Sequence, residues 1–302
     1  MKGHPVRVLL CVDMEGISQI TDYRQIWPEF PEQWEEGKAA MRADALATAK
    51  GLLAGGARAV TLCELHSPGR DPILDDEELP KGVSWTARGE VMKSSGVTSE
   101  FDAVFMLGSP ARCGTPHGFM SQTNGINVRV AVDGQPVTEV HLNAWRTALP
   151  VIGVVGDEAL GEQMDGTLAG VPFLSVKRAT ERASATALYS TEEGLAAIQA
   201  FASWCAKNAG GREASPIPER FVLSLSMPPQ LTDLVEGIDG LRRTSPAIVA
   251  KSVTDWWYEA EPAVTGALQA SFSLLTAPGV DAAERREILQ QWAATTEAEW
   301  LT

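Results

Sequence analysis

The feature that most constrains the fold is a strand, helix, strand pattern near the start of the chain. Residues 6–12, VRVLLCV, are an unbroken apolar and β-branched run, the pattern of a strand buried on both faces. Residues 36–54 are Ala-rich with Lys and Arg at helical intervals, and Gly55-Gly56 ends them. Residues 58–65, RAVTLCEL, form the next strand. This order makes a βαβ unit, which puts both strands parallel in one sheet. The expectation is an α/β fold: a mainly parallel central sheet flanked by helices, with a smaller C-terminal α+β lobe.

The pattern continues. FDAVFMLG (101–108) reads as a third buried strand, and NVRVAVDGQPVTEV (127–140) as a hairpin turning at Asp133-Gly134. A helix is expected over 143–149, a strand at PVIGVVG (150–156), a helix near 157–168, a strand at FLSVKRA (173–179) and a helix over 191–208. The segment 209–219, AGGREASPIPE, is rich in Gly, Pro and Ser and marks the boundary between a domain at 1–208 and a lobe at 220–302. In that lobe, FVLSLS (221–226) and IVAKS (248–252) read as strands, and helices are expected near 254–275 and 282–299. Trp256, Trp257 and Tyr258, at helical spacing with Trp292, read as packing residues.

Composition narrows the function. Hydrophobic residues make up 44% and charged residues 21% of the 302, an ordinary globular balance with enough apolar surface to form a core. The net charge of −14 and the lack of a basic run argue against nucleic acid and against an anionic membrane surface. No segment approaches the roughly 18 apolar residues of a membrane helix. The N-terminal apolar stretch is too short for a signal sequence. The four cysteines, Cys11, Cys63, Cys113 and Cys205, fit neither a CxxC pair nor a disulfide scaffold, so a reduced, cytoplasmic setting is expected.

The chemistry-bearing residues gather at expected strand ends. Asp13 and Glu15 follow the first strand in VDMEG, and carboxylates at i and i+2 on an extended chain point the same way. Two such groups repel unless a cation or a proton lies between them. The alternative is a turn with solvated carboxylates. His66 ends the second strand. Glu139 closes the hairpin, and His141 shares its face if the strand persists. With only four histidines and His4 near the terminus, histidine chemistry must use His66, His117 or His141. Imidazole with several carboxylates suits Zn²⁺ first and Mn²⁺ as the alternative.

Taken together, VDMEGIS (12–18), the strand ending at His66, LGSPARCGTP (107–116), GFMSQT (118–123) and PVTEVHLNAW (136–145) resemble the M55 peptidases, the D-aminopeptidase family. Order and spacing agree over about residues 6–190. The resemblance implies a two-zinc aminopeptidase that removes N-terminal D-amino acids and assembles as a ring-shaped homo-oligomer, commonly a decamer. It makes Asp13 the carboxylate bridging two metals, Glu15 and His66 ligands of one metal, and Glu139 a ligand of the other.

Two positions depart from the family pattern. The histidine of the family's G-Y-H-A-R stretch falls on Pro110, which has no ligating atom. The histidine of its M-S-H stretch falls on Gln122, which donates a hydrogen bond but does not shuttle a proton at neutral pH. His117 is an extra residue between these two positions, and His141 has no counterpart. Three readings follow: His117 or His141 replaces a lost group, a single ion is held by Asp13, Glu15, His66 and Glu139, or the site is a relic. The expected function is a metal-dependent hydrolase of amide or short-peptide bonds, resembling the D-aminopeptidases, with an altered site and an altered substrate. Gln122, His117 and Arg112 are its candidate catalytic residues. The alternative is an inactive, oligomeric binding homologue. Lys177 and Arg182 are candidates for a substrate carboxylate, or are solvated charges at a strand end.

Overall fold

The computed structural model describes residues 6–66, 73–74, 79–86, 100–125, 127–227, 229–254, 259–260, 262–267, 281, 283–284 and 287. The chain forms two compact units. The first comprises Met1–Ala111, His117–Ser121 and Glu139–Ile217, and the second Arg112–Pro116, Gln122–Thr138 and Pro218–Thr302.

The first unit is built on β1 (Arg7–Val12), α1 (Pro31–Ala54), β2 (Ala59–Glu64), β3 (Val83–Thr86) and β4 (Ala103–Ser109). After β5 (Val128–Val132) and β6 (Gln135–Pro136), which belong to the second unit, the chain returns through α2 (Glu139–Thr147). β7 (Val151–Asp157), α3 (Glu158–Gly161), β8 (Phe173–Glu181), β9 (Ser184–Ala187) and α4 (Thr191–Lys207) complete it. Its seven strands lie in the order β3-β2-β1-β4-β7-β8-β9. All neighbours pair in parallel except β8 with β9.

Period-two alternation puts the two faces of β1 into different cores. Val8, Leu10 and Val12 pack with Met41, Ala45 and Leu52 of α1 and Ile198 and Ala202 of α4. Leu9 and Cys11 pack on the other face with Val140 and Ala144 of α2 and Ala159 and Leu160 of α3. Helices on both faces explain why β1 reads as a continuous apolar run. α1 opens on Pro31 with its fixed φ, and α4 opens on a Ser190–Glu193 capping box. None of the described helices is long and apolar enough to cross a membrane.

From β1 the chain adds β2 and β3 on one side, and β4 and β7 on the other. The C-terminal ends of β1 and β4 therefore flank a topological switch point, where an open parallel sheet leaves a crevice for ligands.

The second unit holds a five-stranded antiparallel sheet, β11-β12-β10-β5-β6, with β10 at Phe221–Ser226, β11 at Arg242–Ser245 and β12 at Ile248–Val253. The short helix α5 spans Pro229–Val235. The expected hairpin forms, as β5 and β6, and lies in the second unit. Its β5 edge pairs with β10, Val222 opposite Ala131 and Leu225 opposite Val128. The backbone groups along that edge of β5 need partners, and β10 supplies them.

Other elements compare with the sequence expectations as follows. The helix expected near 157–168 is one turn of α3, capped by Asp157, followed by a 3-10 turn at Gly166–Leu168. Gly166 sits at φ +51, outside helical geometry. Strands β3 and β9, both four residues long, were not anticipated. Residues 262–267 are helical, within the range expected near 254–275, but most of the two C-terminal helices, with Trp256, Trp257, Tyr258 and Trp292, lies outside the described residues.

Candidate metal centre

The site begins where β1 ends. Asp13 N donates to Leu107 O at 2.8 Å and Gly16 N to Gly108 O at 2.6 Å, so the chain leaving β1 stays fastened to β4. Gly16 is required there, because a Cβ would lie 2.6 Å from the Gly108 carbonyl carbon and 2.7 Å from Ser109 O. Met14, Ile17 and Ile20 are buried anchors of this loop. Ser18 completes it, donating from its backbone N and its Oγ to the buried Asp44 of α1 at 2.8 and 2.9 Å. Asp13 and Glu15 are thus placed by backbone contacts rather than by freely rotating surface side chains.

His66 arrives from β2, whose end is tied to β1 by Leu65 N donating to Val12 O at 2.8 Å. Its Nε2 lies 3.1 Å from Ile26 O. A carbonyl can only accept, so Nε2 carries the hydrogen and Nδ1 is left facing inward. Nδ1 is 3.5 Å from Asp13 Oδ1 and 3.4 Å from Glu15 Oε1. All three side chains are buried, and their ligand atoms lie within 4.8 Å of one another.

The electrostatics reflect this crowding. Burial, then the charge of Glu15, pushes the Asp13 carboxyl up to about 7, although His66 opposes both. Burial pushes Glu15 upward too, but the charge and hydrogen bond of His66 prevail and hold it below the usual carboxylate range. Burial pulls His66 downward, but the two carboxylates outweigh it and hold the imidazole well above its ordinary value. The charge of Glu139 also presses on Glu15. Without a cation, the cluster must keep a proton to offset its buried negative charge. Two carboxylate oxygens and an oriented imidazole nitrogen are a donor set that fits a divalent ion of the zinc or manganese type.

The family model for the D-aminopeptidases of peptidase family M55 matches residues 6–261. The chain belongs to the M55 family. Among curated M55 relatives, a D-aminopeptidase from Bacillus subtilis (strain 168) is 26% identical over 196 residues, 63% of this chain and 70% of the relative. A solved structure, described as the Zn-dependent D-aminopeptidase DppA from Bacillus subtilis, a self-compartmentalizing protease, superimposes with a TM-score of 0.74. That match covers 88% of this chain and 98% of the other at 21% identity, and it establishes a shared M55 fold.

The remaining expected site residues of this M55 chain fall in different places. Glu139 is buried and acts electrostatically on Glu15, but it stands at the start of a helix rather than at a strand end. That changes the expectation for His141. Residues at i and i+2 of a helix lie about 200° apart, so they do not share a face. His141 Nε2 instead lies 3.3 Å from Asp165 O, and its ring stacks at a tilt on Trp145. Pro110 follows β4 directly. His117 is exposed in a turn. Arg112 and Gln122, both half-buried, belong to the second unit.

Lys177 departs furthest from its expected role. It is fully buried on β8, so it is neither a solvated charge nor free to meet a substrate carboxylate. Arg182 is half-buried, and its carbonyl accepts from Met120 N at 2.8 Å. Sequence reasoning also missed Asp44, whose signal was available: it shares a helical stripe with the buried Met41, Ala45, Thr48 and Leu52. A charge on an apolar stripe implies a specific partner.

Proposed function

We propose that this chain is a divalent-metal hydrolase of amide bonds, with zinc the first choice of ion and short peptides or amides bearing an N-terminal D-residue the first substrate class. The observation that supports it best is the buried Asp13, Glu15, His66 cluster at the switch point, with His66 Nδ1 aimed at both carboxylates. The zinc dependence and D-specificity named for the Bacillus subtilis relative favour that choice.

In this reading Asp13, Glu15 and His66 hold the ion, and Ile26 O fixes the imidazole tautomer through Nε2. A bound divalent ion supplies Lewis-acid activation of water and of the scissile carbonyl. Glu139, close enough to press on Glu15, is the carboxylate assigned to a second ion or, without one, to taking a proton. Gln122 and Arg112, both of the second unit, are assigned hydrogen-bond donation, the chemistry that their side chains offer. His117 is the exposed imidazole assigned to proton exchange with solvent. The self-compartmentalizing description of the relative supports a homo-oligomer.

Pro110 and Gln122 favour a second reading, an inactive oligomeric binding homologue. A panel of D- and L-aminoacyl amides and dipeptides, assayed with added zinc or manganese, separates the two. The proposal expects amine release with a D over L preference of about tenfold or more, abolished in His66→Ala. Zinc bound without hydrolysis of any panel member would favour the binding homologue.

A further inference from the structure

The M55 centre rests against a buried cation that it does not itself use. Lys177 Nζ donates to Ile20 O at 2.6 Å and lies 4.3 Å from the centroid of the Phe119 ring. Ile20 closes the loop that opens with Asp13, and the next residues are pinned to the β8–β9 hairpin. Ala185 N donates to Thr21 O at 2.8 Å, and Tyr23 N to Ala183 O at 3.1 Å. Phe119 belongs to the 117–121 segment, which is held by its own N donating to Asp157 Oδ2 at 2.9 Å and by Met120 N donating to Arg182 O. The Lys177 side chain reaches both segments.

Packing alone does not account for this residue, because an apolar side chain of the same length would fill the space without burying a charge. Burial lowers its pKa to about 7, against the pull of Asp157, Glu15 and Asp44. Its two contacts lie on two separate segments, the Asp13–Ile20 loop and the 117–121 segment.

We propose that Lys177 is a positioning residue: its ammonium joins the Asp13–Ile20 loop to the Phe119 segment and so sets the separation of Asp13, Glu15 and His66. The inference rests on reading that trio as a metal centre. It makes a prediction opposite to plain electrostatics. A positive charge within Coulomb reach of Glu15 repels a metal ion, so deleting the charge alone would tighten zinc. Loss of positioning weakens it.

The test is zinc affinity, by competition with a chromophoric chelator, on the folded full chain. Wild type is compared with Lys177→Met, Phe119→Leu and, as a destabilised core control, Ile198→Ala. Lys177→Met is expected to weaken zinc about 10-fold, as loss of one charged hydrogen bond and its ring contact would. Phe119→Leu, which removes the aromatic face and keeps the ammonium, is expected to weaken it about threefold. Ile198→Ala is expected to melt lower with unchanged zinc affinity. If Lys177→Met does not fold, Phe119→Leu carries the same decision. Unchanged or tighter zinc in the folded variants, or equal weakening in Ile198→Ala, overturns the positioning role. A wild type that binds no zinc overturns the metal reading itself.

Discussion

In a strong chelator, Asp13→Asn melts higher than the wild type; with zinc in excess, the order reverses. The first half follows from the buried carboxylates. Asp13 titrates near 7 in the folded chain against an ordinary 3.8, because burial and Glu15 disfavour its charge. A carboxyl whose folded pKa is raised loses stability as pH climbs from 3.8 toward 7, and above 7 the penalty is complete. Asparagine keeps the acceptor for Met14 N, which Asp13 Oδ1 meets at 2.9 Å, and removes the charge. The expected gain is on the order of 1 kcal/mol, a few degrees in Tm. The second half is mass action. Zinc at about 1,000 times its Kd stabilises a binding-competent chain by ~4 kcal/mol, and the variant forfeits this. Differential scanning calorimetry at pH 8, with and without zinc, checks both halves. A variant that melts lower in chelator, or gains as much from zinc as the wild type, would contradict the role assigned to Asp13.

Gly108→Ala is expected to prevent the first unit from folding, or to destabilise it by about 3 kcal/mol or more. Gly108 sits at φ +79, and a Cβ there would fall inside the contact distance of the Asp13 carbonyl oxygen. That oxygen cannot retreat, since Asp13 N is held by Leu107 O and Gly16 N by Gly108 O. Gly134 supplies the control. It has the same φ of +79 with nothing within 4 Å of its would-be Cβ. Gly134→Ala carries the dihedral cost without the clash and is expected to lose about 1 kcal/mol. Urea denaturation of both variants separates strain from steric exclusion. Similar losses in the two would show that β4 and the Asp13 loop approach less closely than described.

Much of this architecture is legible in the residues that carry it. VRVLLCV and RAVTLCEL are uninterrupted apolar runs because helices cover both faces of the parallel sheet, and the segment between them is helical as its Ala-rich composition implies. Asp13, Glu15 and His66 are legible because a strand end followed by a carboxylate pair, or by a histidine, marks the ligand side of such a sheet. What was hidden depends on non-local partners. The turn at Asp133-Gly134 announces a hairpin, but nothing in VRVAV says that its partner is β10, some 90 residues on. The helical start at Glu139 turned a pair of residues on one strand face into two separate directions, and His141 went to Asp165. Lys177 looked like one of several charges at the end of a strand. Its burial is set by Phe119 and Ile20, which approach from elsewhere in the chain.

The most direct test of the central claim is metal content. Elemental analysis of the full-length protein, purified without chelator, is run beside Asp13→Asn. The account predicts about one or more equivalents of zinc per chain in the wild type, lost in the variant. A wild type with no bound zinc or manganese, and no rise in Tm when either is added, would contradict it.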